Sequence, residues 1–170
     1  MLRKLIPYAA AVLAAALLVA ACGGSDDERE PTVTTYATGL NSPRGLAFGP
    51  DGRLYVAVGD NATASNAQTL TNRHGKMLRY NADGSIPLDN PFYGTASGAN
   101  RAIWTLGLRN PFTFAQNPGG TPAMFINDVG QGGWEEVNSA ASGANFGWPT
   151  TEGDFNPASQ PTFTRPRFAY

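Results

Sequence analysis

The chain has 170 residues, of which 42% are hydrophobic and 15% charged, a balance that suits one ordinary globular domain and excludes a disordered chain. Its formal net charge is −1, and no run of lysine or arginine follows the first few residues, so there is no electrostatic basis for binding DNA, RNA or anionic lipid. Twenty glycines and thirteen prolines sit poorly in helix interiors and serve chains that turn repeatedly between short strands, so the composition points to an all-β fold.

At the N-terminus, Arg3 and Lys4 precede a mostly apolar stretch from Leu5 to Ala21, followed by Cys22-Gly23-Gly24. That is a positive region, an apolar region and small residues before a cleavage point. Cys22 is the single cysteine, which rules out an intramolecular disulfide. Val19-Ala20-Ala21-Cys22 resembles the lipobox of bacterial lipoproteins. The resemblance implies a signal peptide over 1–21, lipidation of Cys22, and a lipid anchor on the periplasmic or cell-surface side of the envelope. An ordinary signal peptide cleaved near Ala21 and an uncleaved anchor stay open, although the stretch is short and alanine-rich for a span. Residues 22–31 are small, polar and charged, as a tether should be, and the fold is expected over 32–170.

From Thr32 the apolar residues alternate, which predicts strands. Leu46-Ala47-Phe48, the turn Gly49-Pro50-Asp51-Gly52 and Leu54 to Val58 read as strand, tight turn, strand. The pattern returns at Met77 to Tyr80 before Ala82-Asp83-Gly84, and at Phe112-Thr113-Phe114 before Asn117-Pro118-Gly119-Gly120 and Ala123 to Ile126. Such hairpins, with no convincing amphipathic helix between them, suit propeller blades, with a generic β-sandwich as the alternative. At roughly 40 to 50 residues per blade, the part after the tether supplies about three. The C-terminal Phe168-Ala169-Tyr170 carries no strand signal.

Six segments occur in an order that resembles the glucose/sorbosone dehydrogenases, soluble PQQ-dependent aldose dehydrogenases with a β-propeller fold. They are Gly49 to Val56 with Gly59-Asp60-Asn61; Gly75-Lys76-Met77-Leu78-Arg79-Tyr80-Asn81 with Asp83 to Pro87; Asp89-Asn90-Pro91-Phe92; Gly107-Leu108-Arg109-Asn110-Pro111; Asp128-Val129-Gly130-Gln131 with Trp134-Glu135-Glu136-Val137-Asn138; and Gly143 with Asn145 to Pro149. The Gly-Leu-Arg-Asn-Pro and Trp-Glu-Glu-Val-Asn segments are the specific ones, because Gly-Pro-Asp-Gly occurs in many propellers. The fold class implied is all-β, a partial β-propeller of about three blades from a six-bladed fold.

The resemblance implies that Arg109 and Asn110 contact the cofactor pyrroloquinoline quinone (PQQ). The carboxylates and adjacent quinone oxygens of PQQ suit a planar guanidinium, which forms paired charge-assisted hydrogen bonds. It also implies that the backbone carbonyls of Gly130 and Gln131 face a calcium ion on PQQ, a hard cation that takes oxygen ligands. Glu135 and Glu136 are either electrostatic helpers of that loop or rim carboxylates in water. Asp60 reads as a turn residue bonded to its own backbone, Trp148 as core, and Lys76 and Arg79 as strand residues with solvated heads.

Two departures weigh against catalysis. Sugar oxidation at the anomeric carbon needs a base, a histidine in this family. Aligning on Leu46 to Asp51 puts Asn41 at its place, and an amide is no useful proton acceptor near neutral pH. The only histidine, His74, lies in a different motif. Furthermore, Leu40 to Phe48 resembles the opening strand of the first blade, while the chain from Tyr55 onward resembles the middle blades. Roughly one hundred residues, about two blades, are missing between them. The expectation is a truncated or internally deleted protein with open blade faces that invite self-association.

Two functions therefore compete on the sequence. One is a PQQ- and calcium-dependent aldose dehydrogenase that passes electrons to an acceptor outside the cytoplasm. The other is a non-catalytic, propeller-derived surface module or inactive fragment.

Overall fold

The structure, a computed structural model, describes residues 35, 37–117 and 123–170. The predicted signal peptide, the tether and Cys22 lie outside the described residues, as does Pro118-Gly119-Gly120 of the turn that Asn117 begins.

The first strand, β1 (Pro43–Phe48), turns through Gly49-Pro50-Asp51-Gly52 into β2 (Leu54–Val58) as the alternation predicts. Gly49 N donates to Arg53 O at 2.7 Å, and the Asp51 carboxylate accepts from Arg53 N at 3.1 Å. Gly52 completes the turn with φ +70°, a value that favours glycine because it has no Cβ. β2 pairs antiparallel with β3 (Lys76–Tyr80), and β3 with β4 (Ile103–Leu106). The second sheet runs β5 (Pro111–Gln116), β6 (Met124–Asp128), β7 (Glu136–Ser139) and β8 (Phe168–Ala169), all antiparallel neighbours. The described residues thus form two four-stranded antiparallel sheets, each a propeller blade, and the fold is all-β.

Length arithmetic expects about three blades, whereas the described residues contain two sheets, because long connections take up chain. The turn after β3 closes locally, with Gly84 N donating to Asn81 O at 2.9 Å, but the chain then wanders through 86–102 before it forms β4. This is no tight hairpin. The C-terminus also differs from its reading: Phe168 and Ala169 pair with β7, and Glu135 and Tyr170 exchange backbone bonds of 2.8 and 3.1 Å. That edge strand is too short to show alternation, so only its partner defines it.

Tyr55, Ala57 and Met77 on one face of the first sheet meet Met124 and Ile126 of the second, with Leu108 and Phe146 closing the layer. Leu54, Val56, Val58, Leu78 and Ile103 point to the far face, as period-two alternation requires. That face is not bare. Leu40 from the segment before β1 and Leu70, Ile86 and Phe92 from the connections lie across it. Each such apolar side chain contributes about 1.5–3 kcal/mol by leaving water. The second sheet keeps an open face, where Asn127 Nδ2 donates to Thr113 Oγ1 at 2.8 Å in solvent.

Lys76 and Arg79 do not have solvated heads: their relative exposures are 0% and 4%. Arg79 stacks 3.9 Å from the Trp104 ring centre, and its Nε donates to Asn90 Oδ1 at 2.8 Å. Lys76 Nζ donates to the carbonyls of Asn66, Ala67 and His74 at 2.7, 2.9 and 2.7 Å. Both faces of this sheet are covered, so Lys76 finds its partners inside, while Arg79 Nη2 reaches the Asp89 carboxylate at 2.7 Å.

Candidate ligand cleft

Three segments meet at one end of the sheets. Asn41 and Ser42 lead into β1 and Arg44 lies at its start, Gly59 to Ala62 leave β2, and Arg109 and Asn110 link β4 to β5. Together they line a cleft of about 290 Å³. β1 and β5 lie side by side, with Gly45 against the Phe114 ring and the Gln116 side chain donating to Phe48 O. Asp60 N donates to Arg109 O at 2.8 Å, which fixes the exit of β2 against the link to β5. Gly107, with φ +78°, starts that link, and a Cβ there would stand 2.7 Å from Gly147 N, so only glycine fits.

Asp128 holds Arg109 and Asn110 in place. Its Oδ2 accepts from Arg109 N at 2.9 Å and its Oδ1 from Asn110 N at 2.6 Å. Burial pushes the Asp128 carboxyl up to about 7, while these two amides pull the other way. The Arg109 guanidinium then crosses to the next loop, where Nη1 donates to Val129 O at 3.0 Å and Gly130 O at 2.6 Å. Asn110 Oδ1 is buried and has no hydrogen-bond partner among the described residues.

Asp60 is the turn residue its position predicts, with Oδ1 accepting from Ala62 N at 2.9 Å. Its second oxygen accepts from Trp148 Nε1 at 3.0 Å, so Trp148, 9% exposed, is both core and support for the cleft wall. Asn145 serves the same support. It exchanges bonds of 3.0 and 2.8 Å with Gln68.

Among the described residues, the non-glycine residues with positive φ are Ser42 (+46°), Asn61 (+59°) and Ala62 (+54°), and all three line this cleft. Left-handed backbone at a residue with a Cβ carries strain, and such residues concentrate where a surface is held for a ligand. Sequence motifs single out none of Ser42, Arg44 and Ala62 as site residues. Only backbone geometry marks them.

The remaining candidates divide. Gly130 sits in a loop so tight that a Cβ would run into Trp134 O, and Glu135 Oε2 accepts from Gly130 N at 3.3 Å. Gln131 is exposed and its N–H donates to Glu152. Glu136 is not a rim carboxylate: it accepts from Gly153 N at 2.6 Å and Asn138 Nδ2 at 2.9 Å, and burial raises its pKa. His74 stands outside the residues that line the cleft, with Nδ1 buried and unpartnered. Burial lowers its pKa, helped by the Lys76 and Arg73 cations.

The cleft residues fit PQQ: a guanidinium, a buried amide oxygen without a partner, and a volume on the scale of small-ligand sites. Of the two carbonyls expected to face calcium, that of Gly130 accepts from Arg109 Nη1 at 2.6 Å.

Two β-propeller blades with a polar cleft at the strand ends define a propeller-type protein. The Glucose / Sorbosone dehydrogenase family model matches residues 30–167, and the chain belongs to that family. The aldose sugar dehydrogenase YliI of Escherichia coli K12 is 40% identical over 113 residues, which are 66% of this chain and 30% of that protein. Quinoprotein glucose dehydrogenase B of Acinetobacter calcoaceticus is 34% identical over 127 residues, 64% of this chain and 26% of that protein. Among solved structures, the PQQ-bound aldose sugar dehydrogenase of Streptomyces coelicolor superposes with a TM-score of 0.69 at 28% identity, covering 85% of this chain and 43% of that one. The glucose-dehydrogenase-type oxidoreductase of Thermus thermophilus gives 0.72 at 33% identity, covering 82% and 43%. The chain therefore spans less than half the length of each of these proteins.

Proposed function

We propose that this chain is a PQQ-binding member of the aldose dehydrogenase type, with the quinone held in the cleft between Arg109, Asn110 and the Asn41–Arg44 segment. One observation carries the reading: Arg109, Asn110 and Asn41, predicted separately from motifs far apart in sequence, line the same cleft. The Arg109 guanidinium offers charge-assisted donors to a carboxylate or quinone oxygen. The side-chain carbonyl of Asn110 is aligned by Asp128 through the adjacent backbone amide. Bound PQQ would supply the two-electron acceptor for hydride from the anomeric carbon of an aldose. The proton of the sugar hydroxyl needs a base, and Asn41 cannot serve as one. The chain by itself therefore binds cofactor and sugar without rapid turnover. A separate electron acceptor takes part only where a base is restored. Export and anchoring through Cys22 belong to the same proposal, supported by the lipobox-like sequence. Among the described residues no helix is long and apolar enough to cross a membrane.

The test is a titration of PQQ into the full chain, purified in mild detergent and followed by calorimetry. Saturable binding that Arg109→Ala weakens supports the reading. Absence of binding by folded protein overturns it. The observation that favours the second reading, a non-catalytic sugar- or protein-binding module, is Asn41 itself; saturable sugar binding without PQQ would establish it.

A further inference from the structure

The cleft contains a second guanidinium that no motif marks. Arg44 lies in a β-bulge: β1 pairs Pro43 with Val58 and Gly45 with Ala57, so Arg44 is the extra residue between two regular pairs. A bulge re-aims a side chain that regular pleating would direct elsewhere, and bulges occur beside functional sites. Arg44 lines the cleft that Arg109 and Asn110 line. It is solvent-exposed, and none of the ion pairs among the described residues involves it. The backbone on either side of the cleft is held in left-handed conformations at Ser42, Asn61 and Ala62, so the mouth that presents Arg44 is built. Among the described residues, no acidic side chain lines the cleft other than Asp60, whose two oxygens already accept from Ala62 N and Trp148 Nε1.

We infer that Arg44 and Arg109 form a two-point clamp for a planar ligand bearing at least two carboxylates, Arg44 taking the outer carboxylate and Arg109 the inner acceptor. The clamp deepens the PQQ reading and rests on it only for the identity of the ligand. Arg44 and Arg109 bring two cationic side chains to a cleft whose one acidic lining residue among those described is Asp60, and that excess of positive charge makes a polycarboxylate the matching chemistry. An arginine is better suited than a lysine at either point, because its fork can engage both oxygens of a carboxylate.

The experiment titrates two probes, PQQ and pyridine-2,6-dicarboxylate, into the full chain and into Arg44→Gln and Arg44→Lys at low and moderate salt. Thermal unfolding confirms that the exposed substitutions leave the fold intact. Arg44→Gln should weaken PQQ by about tenfold or more, Arg44→Lys should recover part of the loss, and salt should affect the wild type more than Arg44→Gln. If PQQ binds the wild type and Arg44→Gln equally, the clamp is wrong and the PQQ reading survives. If the wild type rejects PQQ but takes the pyridine dicarboxylate in an Arg44-dependent way, the clamp stands and the PQQ reading falls. If neither probe binds, both are overturned.

Discussion

Trp148 and Asp60, 88 residues apart in the chain, meet at 3.0 Å, with the indole N–H donating to Asp60 Oδ2. The bond joins the segment Gly143 to Pro149, which comes after the second sheet's third strand, to the turn that leaves β2. Trp148 N also donates to Gly107 O at 3.1 Å, so one residue braces both the cleft wall and the link carrying Arg109. Trp148→Phe removes the donor and keeps an aromatic ring in the core, at the loss of part of the indole. It should destabilise the protein by about 1–2 kcal/mol, the cost of a buried acceptor left without its partner. Chemical denaturation measures the change, and an unaltered midpoint would show that the bond contributes nothing.

Lys76 is expected to matter more for stability than a strand lysine usually does. Its ammonium supplies one proton to each of three carbonyls that shape the 59–75 connection. Lys76→Met has nearly the same shape and, measured below pH 7 where the side chain is the ammonium, should cost about 2–4 kcal/mol, because three carbonyls shielded from bulk water lose their donor together. A destabilisation under about half a kcal/mol would mean that water replaces the ammonium.

The same lysine predicts a pH dependence. Burial lowers its pKa from 10.5 to about 7, so between those values the unfolded chain binds more protons than the folded one. Its contribution is therefore fully present above pH 10.5 and is lost as the pH falls to about 7. Stability measured across this window should rise with pH in the wild type and lose that component in Lys76→Met.

Asp128→Asn tests how the cleft residues are held. The carboxylate accepts two backbone N–H groups, whereas an amide can accept with one atom only and turns its NH₂ towards the other donor. A loss of about 1–3 kcal/mol is expected, with weaker PQQ binding although the residue does not line the cleft. Unchanged affinity would show that Arg109 and Asn110 keep their places without it.

Asn41→His asks whether the missing base is what limits turnover. With PQQ and glucose, dye reduction by the wild type should stay near background, and the variant should exceed it by about a hundredfold, the lower range for a positioned general base. Equal rates in the two proteins would place the deficiency elsewhere.

Much of this was legible in the chain. The hairpin of β1 and β2, the β5 and β6 strands, and the candidacy of Arg109, Asn110 and Asn41 rest on alternation, turn residues and motif order, all local properties. β4 and β8 were not legible: one is four residues long, the other two, and each exists because a neighbouring strand pairs with it. The burial of Lys76 and Arg79 is illegible for a related reason, since charge on a strand signals solvent unless both faces of the sheet are covered.

The amino-acid order alone determined an all-β chain of the glucose/sorbosone dehydrogenase family with an asparagine at position 41, because period-two patterning, turn chemistry and motif identity are written in neighbouring residues. Only the tertiary structure decided that the sheets number two among the described residues, that loops cover the outer face of the first, and that Arg44 lines one cleft with Arg109. Those outcomes depend on which backbone groups find partners across the fold, and pairing over dozens of residues leaves no local signature.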